Sequence, residues 1–515
     1  MTKRMDPKWW ALGALVIGIL AVGLDATIIN IALPTLASQL HASTGQLQWI
    51  ADAYNLVFAA MLLPAGLLGD RYGRKRMLMI ALVLFGLASA ACAFAPTAEW
   101  LIAARALLGI GGAFLIPLSM AVLPILFTEE ERPKAMSAWL VANAVSFPIG
   151  PIFGGWLLSH FWWGAAFLIN VPVVLLALLA VGGLLPETRN PEQPSLDWPG
   201  IVMSSLGLAG VIDGLIEAGD KGWGDPLTLG PLVVGSTGLA AFVAWQRHLT
   251  ARPGGQSLVD LSLFRSASFT WGTLLSTISQ FAMFGVLFTL PQFFQAVGGA
   301  DSMGAGLRIL PIIGGLVVGA KVAERLGTRV GAKATVALGY TVLAAGLFVG
   351  ATTGLGSGEA FTLSWIAVIG VGLGFAMPST MNAALSALSP ERSGVGSGLN
   401  QALRQVGGAV GVAVLGTVMG SVYRDHLDLT GLPAPAAEIV RKSVFGGVAI
   451  AQRLHAAPLL ASVRGAFVHG MDAMLGVCGG LMVVGIALAI AFLPGRASTA
   501  TAQGKRGLAE HAVIG

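Results

Sequence analysis

The sequence predicts an all-α polytopic membrane protein with fourteen transmembrane helices, and three observations carry that expectation. Of 515 residues, 55% are hydrophobic and only 11% are charged, whereas soluble globular chains carry about 25% charged residues. Apolar stretches of roughly 20 residues, the length that crosses a bilayer as a helix, recur along the whole chain. The Lys and Arg residues between them gather in alternate connections. So little polar surface could not cover a water-soluble core of this size. The net charge of +5 is therefore assigned to basic loops, and no nucleic-acid partner is expected.

The spans lie near 8–30, 47–69, 77–95, 101–127, 134–158, 164–185, 198–217, 228–246, 268–290, 304–323, 334–353, 361–388, 396–420 and 466–493. Lys3, Arg4 and Lys8 before an apolar run have the look of a signal peptide. That run reaches about residue 30, includes Asp25 and is followed by another span, so an uncleaved first helix is expected. One set of connections holds Arg71, Arg74, Lys75, Arg76, Arg132, Lys134, Arg189, Arg247, Arg252, Arg265, Arg325, Arg329, Lys333 and Arg392. The alternate short loops hold Lys221 and no other Lys or Arg. Both termini are accordingly expected in the cytoplasm, in a multi-pass protein of the plasma membrane, and the alternation requires an even number of spans. The loop at 421–464 runs against this pattern with Arg424, Arg441, Lys442, Arg453 and Arg464; longer loops obey the rule less strictly.

An internal repeat organises the spans. Asp70-Arg71-Tyr72-Gly73 recurs as Glu324-Arg325-Leu326-Gly327, and Pro117 with Glu131-Arg132 is echoed by Pro378 with Glu391-Arg392, at separations of 254 to 261 residues. The expected domains are a six-helix bundle over 1–190, an inserted helix pair over 191–260, and a second six-helix bundle over 261–493 that carries the long outer loop 421–464. A polar cytoplasmic tail occupies 494–515. Two pseudo-symmetric bundles facing one another are the architecture of a transporter that rocks around a site between its halves.

A charge inside a spanning helix is costly and marks function by default. Asp25, Asp52 and Arg105 fall at similar depth in the outer half of the bilayer, in one half of the chain, so they could share one cavity. Desolvation and a facing Arg105 would act on Asp25 in opposite senses, which suits a proton site. A static ion pair tying helices together is the competing reading, and Asp52 has the further alternative of a place near the water boundary. Asp213 and Glu217, four apart on one helix face, read as a solvated lip. Arg308, Arg404 and Asp213 are secondary candidates, Arg404 with the alternative task of orienting the start of its helix. Cys92 and Cys478 provide neither a metal spacing nor a disulfide framework. There is no HExxH, no Walker A loop and no His/Cys cluster. No metal or cofactor is expected, and an enzyme or sensor is disfavoured.

Six stretches carry a further signal. They read L-D-A-T-I-I-N-I-A-L-P at 24–34, W-I-A-D-A-Y at 49–54 and G-L-L-G-D-R-Y-G-R-K at 66–75. Leu101, Arg105, Gly109 and Gly111 follow, then G-P-I-F-G-G at 150–155 and W-G-A-A-F-L-I-N-V-P at 163–172. Ser146, Gly150 and Gly154 repeat every four residues, a stripe that lets another helix approach closely. Pro151 removes a backbone hydrogen bond and bends the helix; ordinary packing of a kinked helix is the plainer alternative. In the 66–75 loop, Gly66 and Gly73 suit a tight turn, while Asp70 can cap the next helix or pair with Arg71 or Arg74. Over nearly its whole length the chain resembles the fourteen-helix drug/proton antiporters of the major facilitator superfamily, the EmrB/QacA-like branch.

That resemblance implies a proton role for Asp25 and Arg105, and a link to cationic substrates at Asp52. It also implies a cytoplasmic gate at 66–75 and an antiporter element formed by Ser146, Gly150, Pro151, Gly154 and Gly155. Leu108 stands where the family has glutamine, and Gly164 where it has arginine. The implied activity is export of a small hydrophobic or cationic molecule against protons, driven by the proton gradient and carried out by a monomer in the lipid bilayer. Periplasmic or accessory partners stay open. A metabolite transporter working by symport or uniport is the alternative.

Overall fold

The computed structural model describes residues 7–128, 130–131, 135–136, 138–139, 150, 152–188, 197–252, 258–385, 388 and 390–494. Among them all regular structure is helical. The helices are α1 (Pro7–Gln39), α2 (Thr44–Tyr72), α3 (Arg74–Ala93) and α4 (Ala98–Leu126), then α5, described over 152–160. Next come α6 (Ala165–Leu168), α7 (Asn170–Leu184), α8 (Trp198–Lys221), α9 (Pro226–Ala251), a 3-10 turn at Leu261–Arg265 and α10 (Ala267–Gln292). The chain continues through α11 (Ser302–Val330), α12 (Ala332–Gly350), α13 (Glu359–Leu385), α14 (Pro390–Asp425), α15 (Ala434–Lys442), α16 (Val444–Arg453) and α17 (Ala457–Phe492). Among the described residues, twelve segments are long and apolar enough to cross a membrane. A thirteenth is α2, which bends by 52° between Thr44–Leu62 and Pro64–Tyr72, because Pro64 lacks the N–H that would continue the ladder. Most of the fifth expected span, 134–158, lies outside the described residues.

Helix ends follow local chemistry. Ser43 and Gln46 form a reciprocal capping box at the start of α2, and Asp197, Asp225 and Asp301 cap α8, α9 and α11 with their carboxylates. The first helix runs beyond the expected end near residue 30 to Gln39, with Pro34 inside it. Packing of neighbouring helices tolerates such a proline in a membrane helix.

In one group of helices, α2 packs on α4, α4 on α3, and α7 on both α1 and α3. In a second group, α13 packs on α10, α11 and α12, while α17 packs on α12 and α14. The groups meet along α2–α14 and α1–α10, and α8 docks on α2 and α14 with α9 at its back. The face of the assembly where α1 begins is termed proximal and the opposite face distal.

Gly73 joins α2 to α3 at φ +106°, and Gly331 joins α11 to α12 at φ +88°, both in the region that favours glycine. Their N–H groups donate to Gly69 O and Gly327 O, each at 3.0 Å. The two joints are 258 residues apart (331 − 73). The repeat therefore aligns Gly327 with Gly69, one helical turn away from the Gly73–Gly327 match suggested by the sequence.

The loop expected at 421–464 is itself helical. Its α15 and α16 pack on each other, and α16 also packs on α17 and touches α1. The Tyr423 hydroxyl donates to Val440 O at 2.9 Å, Arg464 Nε to Ala296 O at 3.1 Å, and Thr44 Oγ1, from the other group, to Lys442 O at 3.0 Å. This cap lies over the distal face.

Candidate functional site

Two of the buried charges form an ion pair. Arg105 on α4 and Asp25 on α1 are 0% and 2% exposed. Arg105 Nη1 donates to Asp25 Oδ2 at 2.5 Å, and its Nε donates to Ile50 O on α2 at 3.0 Å. The guanidinium stacks over the Tyr54 ring at 4.7 Å, a favourable contact for a desolvated cation. Asn170 Nδ2, from α7, donates to Ser89 Oγ at 3.0 Å and to Asp25 Oδ1 at 3.4 Å, and Ser89 Oγ donates to Phe167 O at 2.9 Å. Arg105 Nη2 has no hydrogen-bond partner among the described residues. In so dry a site each charge depends on the other, since removing one leaves the second desolvated and uncompensated. A proton arriving on Asp25 would cancel the counter-charge of Arg105. The pair and its partners tie together α1, α2, α4 and α7.

Asp52 does not join this cluster. On α2, Ile50 and Tyr54 face Arg105, whereas Gln48, four residues before Asp52, donates to Val412 O at 3.2 Å and Ala413 O at 2.9 Å on α14. Leu56, four residues after it, packs with Ile212, Ile216, Ala409 and Ala413 of α8 and α14. Residues four apart share a helix face, so Asp52 lies on the face of α2 turned toward the second group. It is fully buried, and neither carboxylate oxygen has a hydrogen-bond partner among the described residues. The shared cavity expected for the three charges is thus two sites, separated by the thickness of α2.

A further polar set lies on α10 and α14. Arg404 Nη2 donates to Gln280 Oε1 at 2.9 Å and its Nη1 to Gln401 Oε1 at 3.4 Å. Both side-chain polar atoms of the buried Asn400, and the hydroxyls of Thr273 and Ser276, have no hydrogen-bond partner among the described residues. Buried polar atoms of this kind are costly in a bilayer unless water or a ligand meets them.

The remaining candidates separate. Arg308 Nε pairs with Glu359 at 2.7 Å in a largely accessible contact, which makes it a surface tie rather than an interior charge. Asp213 on α8 faces Trp49 of α2, and Glu217 pairs with Lys221 at 2.8 Å. Sequence reasoning missed the roles of Asn170, Ser89, Gln280 and Asn400, polar residues within spanning stretches. It also missed Asp472 on α17, whose Oδ1 is buried without a hydrogen-bond partner among the described residues.

The sequence model of the Major Facilitator Superfamily matches residues 15–412. The chain belongs to the Major Facilitator Superfamily. It is 34% identical over 494 residues to the tetracenomycin C resistance and export protein of Streptomyces glaucescens, covering 94% of this chain and 91% of that protein. It is 32% identical over 483 residues to the multidrug efflux pump LfrA of Mycolicibacterium smegmatis, covering 91% and 93%. Among solved structures, a bacterial homolog of the human lysosomal transporter Spinster, in an inward-facing and unoccupied conformation, superposes with a TM-score of 0.67. It shares 16% identity and covers 95% of this chain and 97% of that one, a likeness of fold alone.

Two motifs of this superfamily chain have legible geometry. Asp70 pairs with Arg74 Nη2 at 2.8 Å, and Arg74 Nη1 reaches Ala121 O on α4 at 3.3 Å. The cap of α3 is supplied instead by Glu187, which accepts from Lys75 N at 3.2 Å and Arg76 N at 3.1 Å. A side chain at Gly73 would meet that carboxylate at 2.6 Å. Arg71 lies over Tyr72 at 5.6 Å, and Gly66 has open space beside it. In the helix 5 motif, Ser146 and Pro151 lie outside the described residues. A Cβ on Gly150 would collide with Thr27, and one on Gly154 would press on Ile28, both on α1. Gly155 instead abuts the backbone of Ser302 and Met303 on α11. Gly150 and Gly154 thus face α1 of the first group, and Gly155 makes the contact across to the second.

Proposed function

We propose that this chain exports small hydrophobic or cationic molecules across the plasma membrane in exchange for protons. Its proximal face, with both termini, is cytoplasmic. In this reading it has fourteen spans, two six-helix halves related by the repeat, and α8–α9 as an inserted pair. It works as a monomer with the proton gradient as its energy source and needs no cofactor. Relatives named for antibiotic export and multidrug efflux, alike over nine-tenths of the chain, support the direction of transport. The observation that carries the coupling is Asp25, a carboxylate buried in a helical bundle with Arg105 as its counter-charge.

Protonation of Asp25 from the distal side would favour one arrangement of the halves, and its release on the proximal side the other. Asp52, Asn400 and Arg404, on helices where the two groups meet, are the proposed contacts for substrate. The test is transport by the purified protein in proteoliposomes, with ethidium as the cationic probe and a trapped pH dye. Ethidium entering the vesicles should drive protons out and raise the lumenal pH. If protons instead follow ethidium inward and the lumen turns acidic, the exchange reading fails.

A further inference from the structure

A cavity of about 560 Å³ lies at the proximal end of α9, away from the buried charges. Its walls include Val243, Leu261 and Phe264, together with two arginines, Arg247 and Arg265. At this face Lys8 pairs with Glu131 at 2.8 Å and Arg74 with Asp70 at 2.8 Å. The side chains of Arg247 and Arg265 have no hydrogen bond or ion pair among the described residues. The chain between them offers few acids. Residues 253–257 read P-G-G-Q-S, and Asp260 is engaged with Ser262, accepting from its N at 3.0 Å and its Oγ at 2.6 Å.

The walls of the cavity are held in place from behind. The buried Asp197 carboxylate accepts from Gly200 N at 2.9 Å, Trp245 Nε1 at 2.8 Å and Gln246 Nε2 at 2.5 Å. Gln246 Oε1 in turn accepts from Val259 N at 3.2 Å. This network ties the start of α8, the end of α9 and the strand of chain entering the 3-10 turn. The Asp197 carboxylate is thereby satisfied by these donors and makes no ion pair with either arginine. The cavity also opens beside a lipid-facing helix, since Val233, Val234 and Val243 of α9 are 63%, 72% and 38% exposed.

Two cations without protein counter-ions, beside an apolar wall at a membrane-helix end, are the chemistry that receives a phosphate headgroup with its acyl chain. We propose that this cavity binds the phosphodiester headgroup of an anionic phospholipid, with Arg247 and Arg265 on the phosphate and the acyl chain along α9.

The test is native mass spectrometry of the full chain in non-ionic micelles, offered phosphatidylglycerol and phosphatidylcholine of equal chain length. The wild type should retain phosphatidylglycerol preferentially. Arg247→Gln/Arg265→Gln should lose about thirtyfold in that affinity, from two cation–lipid contacts, with phosphatidylcholine binding unchanged. Arg247→Lys/Arg265→Lys should keep most of the preference. If the double glutamine variant cannot be purified, Arg265→Gln alone should lose about fivefold. Equal retention of phosphatidylglycerol by the glutamine variants overturns the site. Displacement of the lipid by inorganic phosphate at matched concentration overturns the lipid as the source of the phosphate.

Discussion

Replacing Asp25 by Asn tests whether the buried pair carries protons or only joins helices. In this variant Arg105, 0% exposed, retains Ile50 O and the Tyr54 ring but loses its only carboxylate among the described residues. Breaking such a pair from either side costs about 3–5 kcal/mol, most of it from the abandoned charge. Arg105→Gln should therefore cost a similar amount, and the two single losses sum to roughly 6–10 kcal/mol. In Asp25→Asn/Arg105→Gln no uncompensated charge is left, so the double variant should lie within about 3 kcal/mol of wild type. The coupling energy is then at least about 3 kcal/mol, readable by denaturant unfolding in mixed micelles. Losses that add within about 0.5 kcal/mol would mean that the two residues act independently. The double variant then separates structure from transport. A folded double variant that moves ethidium only down its own gradient supports a proton role for Asp25. Full proton-driven exchange by that variant would refute it and leave the pair as a structural tie.

Two further outcomes follow from other parts of the fold. A Cβ at Gly155 would sit 2.8 Å from Ser302 O and 3.0 Å from Met303 Cα, so Gly155→Ala should push α5 from α11 at a cost of about 1–3 kcal/mol. Spin labels at Ser38 and Gly356 should then show a longer distance distribution, with the buried Cys92 and Cys478 removed or silent; an unchanged distribution refutes the wedge. At the proximal face, the Lys8 hydrogen bond holds the Glu131 carboxyl below its ordinary value. A carboxylate lowered on folding contributes above its unfolded pKa and loses that contribution as pH falls through the folded one. Amide protection at the start of α1 should thus be flat from neutrality to about pH 5 and drop below it. Glu131→Gln should abolish that step, and a step that persists would place its origin elsewhere.

Spans were legible because a bilayer demands about 20 apolar residues, a requirement that composition alone reveals. Their ends were legible where Ser43, Asp197 or Asp301 marks a cap, and misjudged at Pro34, which the helix tolerates. The sequence gives depth along a helix more readily than direction around it. Asp25, Asp52 and Arg105 therefore read as one cavity until α2 came between them. The spacing Gln48, Asp52, Leu56 against Ile50, Tyr54 held that information, as two faces of one helix. Asn170 stood inside a stretch already singled out, but its partner Ser89 is 81 residues away, and nothing local links them. Asp472 lay six residues inside the last expected span and needed only to be counted as an interior charge.

The helices between α14 and α17 belong by chain connection to one group of helices, yet they touch the other. Separating the groups at the distal face would take Thr44 from Lys442 O and α16 from α1. Those contacts enter the free-energy difference between arrangements, not the chemistry of the interior charges. A hydrogen bond worth about 1 kcal/mol changes such a population ratio by about fivefold. In the proposed exchange the distal cap would weigh on the balance between arrangements, and changing its length or sequence should shift that balance without touching Asp25, Asp52 or Arg404.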